Sequence, residues 1–114
     1  MERRQWRNEL ARGTLSFAAL SVLSHEEVHG YELLIRLREC GFGHIKGGVM
    51  YPILARLESE GLVSHAWDTT NPGPARKILR LTPEGQAELA EARRAWQEII
   101  TNMDRLSEGR GDEV

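Results

Sequence analysis

The sequence contains a single cysteine and few long apolar runs. Cys40 has no second cysteine with which to form an intramolecular disulfide. The start of the chain lacks the continuous apolar run of a signal peptide or a membrane span. These absences predict a cytoplasmic chain that has no membrane as a partner. Its 114 residues are enough for one domain with a small core.

The chain also lacks a net positive charge. Fifteen lysines and arginines stand against 17 aspartates and glutamates, a formal charge of -2, which argues against a generally basic nucleic-acid binder. The distribution is uneven, however. Residues 44–81 hold five basic and three acidic residues, whereas residues 83–114 hold four basic and eight acidic ones. The middle of the chain therefore carries the positive charge that an interface with nucleic acid would need.

No arrangement of residues typical of catalysis is present. Ser16, Ser21 and Ser24 fall in or at the end of a predicted helix, outside any nucleophile elbow, and there is no phosphate-binding loop. The sequence therefore predicts a protein that is not an enzyme and that needs no cofactor.

The middle of the chain predicts a helix with one apolar stripe. Four apolar side chains recur there at helical spacing: Ile53, Leu54, Leu57 and Leu62. A proline is tolerated in the first turn, so we expect the helix to begin between Gly48 and Pro52 and to end at Gly61. Gly47 and Gly48, with Lys46 beside them, would let the free N–H groups of the helix approach a phosphate closely.

A β-hairpin is predicted after this helix. Residues 62–67 and 75–81 are short apolar-rich runs, separated by a polar stretch with proline and glycine at 68–74. In the second run Arg76 and Arg80 fall on the same face. We expect this run to be an edge strand whose arginines reach phosphates or a minor groove.

Two further helices are predicted upstream. Residues 10–24 form a strongly apolar helix, and residues 30–40 form the next, ended by Gly41 and Gly43. Its inward side chains are predicted to be Leu33, Leu34 and Leu37. These two helices and the middle helix described above make a helix-turn-helix. The middle helix is its third helix and is predicted to enter the major groove by its first turn.

The last predicted helix carries an apolar seam. After the N-cap residue Thr82, apolar residues follow in steps of three and four: Leu89, Ala92, Trp96, Ile99, Met103 and Leu106, with Ile100 beside them. A seam of this kind is normally covered by another helix. These seven residues are therefore the predicted dimerisation surface.

Three segments together resemble the PadR family of bacterial winged-helix transcriptional regulators. They are LARGTLSFAALSVLSHEEVHGYEL, YPILARLESEGLV followed by a tryptophan, and ARKILRLTPEG, a match that runs from about Leu10 to Gly85. The first includes the family's His-Gly-Tyr-Glu box at His29–Glu32. The chain departs from the family at Val49 and Met50 and at Ile78 and Leu79, which bears on base preference.

The resemblance implies a mainly α fold with a β-hairpin wing, that is, a winged helix-turn-helix followed by a long C-terminal dimerisation helix. It also implies a homodimer, assisted by the N-terminal helix, on a palindromic operator of double-stranded promoter DNA. We expect three units: the DNA-binding domain at 1–82, the dimerisation helix at 83–108 and a flexible tail at 109–114.

The predicted DNA contacts come from the third helix and the wing. Groove contacts are expected from Lys46, Val49, Tyr51 and Arg56, and phosphate contacts from Arg76, Lys77 and Arg80. Tyr51 is nearly as well explained by buried packing. The chain would act as a repressor that an effector releases by altering the dimer.

Trp96, in the middle of the seam, has two explanations. The simpler is a large interface anchor. The other is ligand sensing, because some multidrug-sensing relatives line a flat pocket with a tryptophan at this place. The predicted slot for a planar aromatic effector comprises Leu10, Thr14, Phe17, Ala92, Trp96 and Ile99.

Two alternatives remain open. His25 and His29, like Cys40 and His44, are four residues apart, a spacing that would suit a metal-responsive regulator. Packing explains these residues better, and no metal ligand is predicted. The other alternative is a winged-helix module that uses the same ribbon to bind a partner protein.

Overall fold

The computed structural model describes residues 3–43 and 45–109. Five helices and three strands follow one another along the chain: α1 (Trp6–Arg12), α2 (Leu15–Leu23), β1 (Val28–His29), α3 (Gly30–Glu39), α4 (Gly47–Ser59), β2 (Val63–Asp68), β3 (Arg76–Leu81) and α5 (Pro83–Ser107). The strands form one antiparallel sheet in the order β1-β3-β2. No helix in the described ranges is long and apolar enough to cross a membrane.

One hydrophobic core joins most of these elements. The largest fully buried side chains come from five of them: Leu15 of α2, Leu33 of α3, Met50 of α4, Val63 of β2 and Leu89 of α5. The predicted inward residues of α3, which include Leu34 and Leu37, are buried as well. Helices α2, α3 and α4 therefore pack with the hairpin as one unit, and the first turns of α5 pack against this unit.

The prediction of a single helix over residues 10–24 was wrong. The segment is divided between α1 and α2 by a turn at Gly13 and Thr14. The Thr14 hydroxyl donates a hydrogen bond to the carbonyl oxygen of Ala11 at 2.7 Å, and the Thr14 N–H donates to the same oxygen at 2.9 Å. A glycine of low helix propensity followed by a hydroxyl that competes for a backbone carbonyl is enough to interrupt the helix.

The predicted start of the third helix was also wrong, by one residue. α4 begins at Gly47, so that Pro52 lies in its second turn rather than its first. The missing N–H of Pro52 would otherwise donate to the carbonyl of Gly48, four residues earlier. Gly48 is exposed, so its carbonyl, which loses this partner, can bond to water instead.

β3 is the central strand of the sheet and not the edge strand that was predicted. The two-residue strand β1 pairs with it, Val28 opposite Leu79 and His29 opposite Ile78. A strand of two residues leaves no alternating pattern in the sequence, which is why it was missed. The predicted hairpin itself is confirmed by the pairing of β2 with β3.

Helix α5 begins on a hydroxyl that serves two neighbours. The Thr82 hydroxyl accepts a hydrogen bond from Gly85 N–H at 2.9 Å and donates one to the carbonyl oxygen of Gly61 at 2.7 Å. The predicted N-cap is thereby confirmed. Leu89 is fully buried in the chain's own core, so its prediction as a dimerisation residue was wrong.

Candidate nucleic-acid interface and C-terminal groove

The first turn of α4 is built around the ring of Tyr51. A Cβ atom on Gly47 would lie 2.6 Å from Cε2 of this ring, and one on Gly30 would lie 3.1 Å from Cε1. The ring therefore occupies the narrow space between the starts of α3 and α4, and a larger residue at either glycine would have to displace it. Tyr51 is still 44 % exposed. The exposed Lys46 stands at the N-cap position of the same helix.

The four predicted groove residues do not share one surface. The exposed residues of α4 are Gly48, Tyr51, Pro52, Ala55, Arg56 and Ser59. Val49 packs against the core. Arg56 lines a depression with Glu60 and Glu88, which belongs to the side of α4 that meets α2 and α5. Lys46 and Tyr51 thus lie toward the free N-terminal end of α4. Val49 is turned inward, and Arg56, although exposed, lies beside α2 and α5 nearer the other end of the helix.

The basic residues of the wing differ in their partners. Lys77 Nζ lies 2.9 Å from Glu58 Oε1 of α4, and Arg80 Nε lies 3.2 Å from Glu27 Oε1. Arg76 is exposed. In the ranges 3–43 and 45–109, neither Arg76 nor Lys46 forms a salt bridge with a carboxylate. These two are therefore the cations best placed to meet a phosphate without first leaving a partner.

Glu58 connects α4 to the wing. One carboxylate oxygen receives the Lys77 ammonium and the other contacts His65 Nδ1 of β2. These two contacts, the Lys77 hydrogen bond first, lower the pKa of Glu58 below its usual 4.5. The carboxylate is therefore ionised at neutral pH and holds both strands of the wing against the helix.

His29 makes a second connection, between α3 and the wing. Its backbone N–H donates to Glu32 Oε1 at 3.0 Å, and its ring lies 2.5 Å from the same carboxylate and 3.9 Å from Asp68. The backbone hydrogen bond is the main reason that the pKa of Glu32 is lowered. The pKa of Asp68 is lowered mainly by the Thr70 hydroxyl and N–H, which donate to it. The predicted His-Gly-Tyr-Glu box thus ties the start of α3 to the start of the wing tip.

One large side chain on the wing was not among the predicted contacts. Trp67 of β2 is 60 % exposed. Its ring meets that of His65 nearly edge to face, with centroids 5.6 Å apart and planes at 78°. The alternation of a strand, which pairs Trp67 with Lys77 across the hairpin, was the signal that would have drawn attention to it.

A groove runs between α5 and the N-terminal helices. It has a volume of about 560 Å³, and all six residues of the predicted effector slot line it: Leu10, Thr14, Phe17, Ala92, Trp96 and Ile99. The Phe17 and Trp96 rings lie 6.2 Å apart between centroids. A neighbouring cavity of about 330 Å³ shares four of these residues and extends to Phe42, in the loop before α4.

The outer face of α5 is apolar and open. Of the predicted dimerisation residues, five large ones are exposed: Trp96, Ile99, Ile100, Met103 and Leu106. Trp6 and Leu10 of α1 are exposed as well. Ala92 is half-buried at the inner end of the face. The predicted seam is therefore buried only at its start, at Leu89, and is exposed from Trp96 onward.

The residues weighed for metal binding do not form a cluster in the described part of the chain. No three histidine, cysteine, aspartate or glutamate side chains come together there with the geometry of a metal site. Cys40 is exposed. His44, its predicted partner, lies outside the described residues.

Comparisons with known proteins agree on one family. The model of the transcriptional regulator PadR-like family matches residues 19–91. The transcriptional regulator Rv3488 of Mycobacterium tuberculosis is 36% identical over 95 residues, which are 83% of this chain and 87% of that protein.

Solved structures show the same likeness. A PadR family regulator from Eggerthella lenta has a TM-score of 0.81 and 36% identity, over 90% of this chain and 88% of that one. A PadR-like regulator from Bacillus cereus has a TM-score of 0.78 and 32% identity, over 90% and 99%. The predicted mainly α fold with a β-hairpin wing and a long C-terminal helix is confirmed. The chain belongs to the PadR-like family of transcriptional regulators, which bind DNA.

Proposed function

We propose that the chain is a homodimeric repressor, which binds a palindromic operator and is released by a small apolar effector. The observation that carries the proposal is the uncovered face of α5. Ile99, Met103 and Leu106 are 50 %, 55 % and 68 % exposed, on a helix of 25 residues whose buried side chains lie in its first turns. An exposed apolar face of this size favours association. A second copy is the simplest cover, because the same seam repeated by a two-fold axis is complementary to itself.

The free end of α4 is the part proposed to enter the major groove. Lys46 and the exposed Gly48 bring unpaired backbone N–H groups and a cation to the helix N-terminus, where an anion is favoured. Tyr51, also exposed, lies one turn further along the helix. Arg76 on the wing would then meet a phosphate of the flanking backbone. Because Arg80 is paired with Glu27, we assign it a lesser role.

The groove beside Trp96 is the proposed effector site. It lies between α5, which would set the spacing of the two DNA-binding units, and α1 with α2, which belong to one unit. A planar aromatic compound inserted there would press α5 away from α2. The neighbouring cavity that reaches Phe42 extends this effect toward the loop before α4. Both changes alter the fit of paired helices to half-sites one DNA turn apart.

The test combines assembly and binding. Sedimentation of the full chain measures its mass, and anisotropy titrations with labelled duplexes from upstream of its own coding sequence measure affinity at several salt concentrations. We expect a dimer that retains one duplex selectively, with an affinity that falls steeply as salt rises. A monomer that binds the same duplex equally well would contradict the dimer. Planar aromatic compounds that neither change Trp fluorescence nor release DNA would contradict the effector site.

A further inference from the structure

The wing carries an exposed indole, that of Trp67, and burial in the chain's own core does not account for it. Trp67 is 60 % exposed, and its only described aromatic neighbour is His65. Among the described residues its indole N–H donates to no acceptor. A large apolar ring that carries a free donor suits a surface that is itself part apolar and part anionic.

The pairing of the strands shows which way this ring faces. Trp67 is opposite Lys77, and His65 is opposite Leu79, so these side chains share one face of the sheet. His65 and Lys77 both contact Glu58 of α4, so this face is turned toward α4. Trp67 is two residues nearer the wing tip than His65. It therefore stands between α4 and the tip of the wing.

The geometry of duplex DNA indicates what Trp67 would contact at this position. Adjacent major and minor grooves are separated by one sugar-phosphate backbone. If α4 lies in the major groove, as the proposed function has it, and the wing tip reaches the neighbouring minor groove, that backbone passes between them. We propose that Trp67 packs its ring against a deoxyribose of this strand and donates its indole N–H to an adjacent phosphate.

The charges around the ring favour this kind of contact over an ionic one. Glu58 already neutralises Lys77 on the same face, at 2.9 Å, and also contacts His65. The surface beside the ring therefore carries little net charge with which to attract a phosphate. An apolar contact with a sugar, completed by one neutral donor, fits such a surface.

Anisotropy titrations of the full chain with a labelled operator duplex test the assignment. We expect Trp67→Ala to weaken binding about tenfold, as befits the loss of one buried ring face. Trp67→Phe keeps a ring but loses the donor, and we expect an intermediate loss. Neither variant should change the slope of log affinity against log salt, because no counterion-releasing charge is removed. The comparison variant for the fluorescence readout is Trp6→Phe, since Trp6 of α1 is similarly exposed at 58 % and lies outside the wing.

Quenching by iodide provides a second readout. The duplex should protect part of the tryptophan emission in the wild-type chain and in Trp6→Phe, and should protect less in Trp67→Phe. Binding by Trp67→Ala and Trp67→Phe within about twofold of the wild type would overturn the assignment. Undiminished protection in Trp67→Phe would overturn it as well. Arg76→Ala, measured in parallel, tests the proposed contact of the wing with a phosphate, because it should reduce the salt slope. A failure of that contact can therefore be told apart from a failure of the Trp67 assignment.

Discussion

Gly85 lies directly against the backbone of Leu62. A Cβ atom built on Gly85 would overlap the carbonyl oxygen of Leu62 and would stand 2.5 Å from Cδ1 of Leu81. The first turn of α5 therefore packs on the segment that joins α4 to β2 with no side chain between them. This close approach explains why a glycine occupies the third position of the helix, where a capping glutamate would otherwise be favoured.

Gly85→Ala should consequently destabilise the fold. The added methyl group meets backbone, which cannot move aside as a side chain can, and we expect a loss of about 1–3 kcal/mol in the free energy of unfolding. The control is Gly13→Ala, because its nearest neighbour would be a carbonyl oxygen at 3.8 Å. Gly13 has a φ of -70° that alanine adopts without strain, so that variant should gain about 0.4–1 kcal/mol because alanine lowers the entropy of the unfolded chain. Urea titrations followed by circular dichroism distinguish the two, and equal effects would refute the steric argument.

Thr82 offers a second test of the same junction. Thr82→Ala removes both the N-cap acceptor for Gly85 N–H and the donor to the Gly61 carbonyl. We expect a loss of about 1–2 kcal/mol. Thr82→Ser retains the hydroxyl and should lose only a fraction of that amount. If the serine variant loses as much free energy of unfolding as the alanine variant, the hydroxyl is not what stabilises the junction.

Ile99→Glu tests the proposed dimer surface. Ile99 is half exposed on the apolar face of α5, so in a single chain the substitution adds one solvated carboxylate. In a two-fold interface it would bring two buried charges close together, which is strongly unfavourable. We expect a monomer in sedimentation that has lost most of its affinity for the operator. Gln97→Glu adds the same charge on the polar face of α5 and should leave the dimer intact.

Arg76 and Arg80 should differ in their contribution to DNA binding, although they lie on the same face of β3. Arg76→Ala should weaken binding to all duplexes and reduce the salt slope by about one unit, as expected for one lost phosphate contact. Arg80→Ala should have a smaller effect on the slope, because its guanidinium is engaged by Glu27 at 3.2 Å. Equal slopes for the two variants would remove the distinction drawn from their partners.

Glu58 should make stability depend on pH on the acid side. Its pKa is lowered in the folded chain by Lys77 and then by His65, whereas in the unfolded chain it titrates near the usual 4.5. Its contribution is therefore complete above that value and is lost as the pH falls through the folded pKa. Glu58→Gln should lower stability at neutral pH and flatten the decline below pH 4.5. Glu60→Gln is the exposed control on the same segment, and an identical acid decline in both variants would contradict the assignment.

The parts of the fold that the sequence predicts well are those with a local signal. The leucines of α3, the hairpin around residues 68–74 and the Thr82 cap each carry a pattern of spacing or of turn residues that few other structures share. β1 could not be predicted, because two residues have no periodicity. The break at Gly13 and Thr14 was equally inaccessible, since apolar spacing continues across it and a hydroxyl decides the outcome.

The candidate site was predictable only in part. Sequence spacing gives the face of an element but not the partner that it meets. Leu89 continues the seam of α5, yet the core of the same chain covers it. Lys77 has the right charge for a phosphate, yet Glu58, nineteen positions earlier, is its neighbour in space. Such pairings depend on how α4 packs against the wing, which no local pattern records.

The short strand β1 leaves most of β3 unpaired on one side. It pairs with Ile78 and Leu79 alone, so the backbone of β3 at Arg76 and Lys77 has an unpaired margin on that side. Bare margins of this kind recruit strands from other molecules and begin aggregates. Arg76 and Lys77 lie on this unpaired margin, and Pro72 and Pro74 precede it. Charged side chains disfavour the addition of another strand, and a proline cannot donate the backbone hydrogen bond that such a strand would need. The Arg76 charge proposed to meet DNA would thus also oppose aggregation when no DNA is bound.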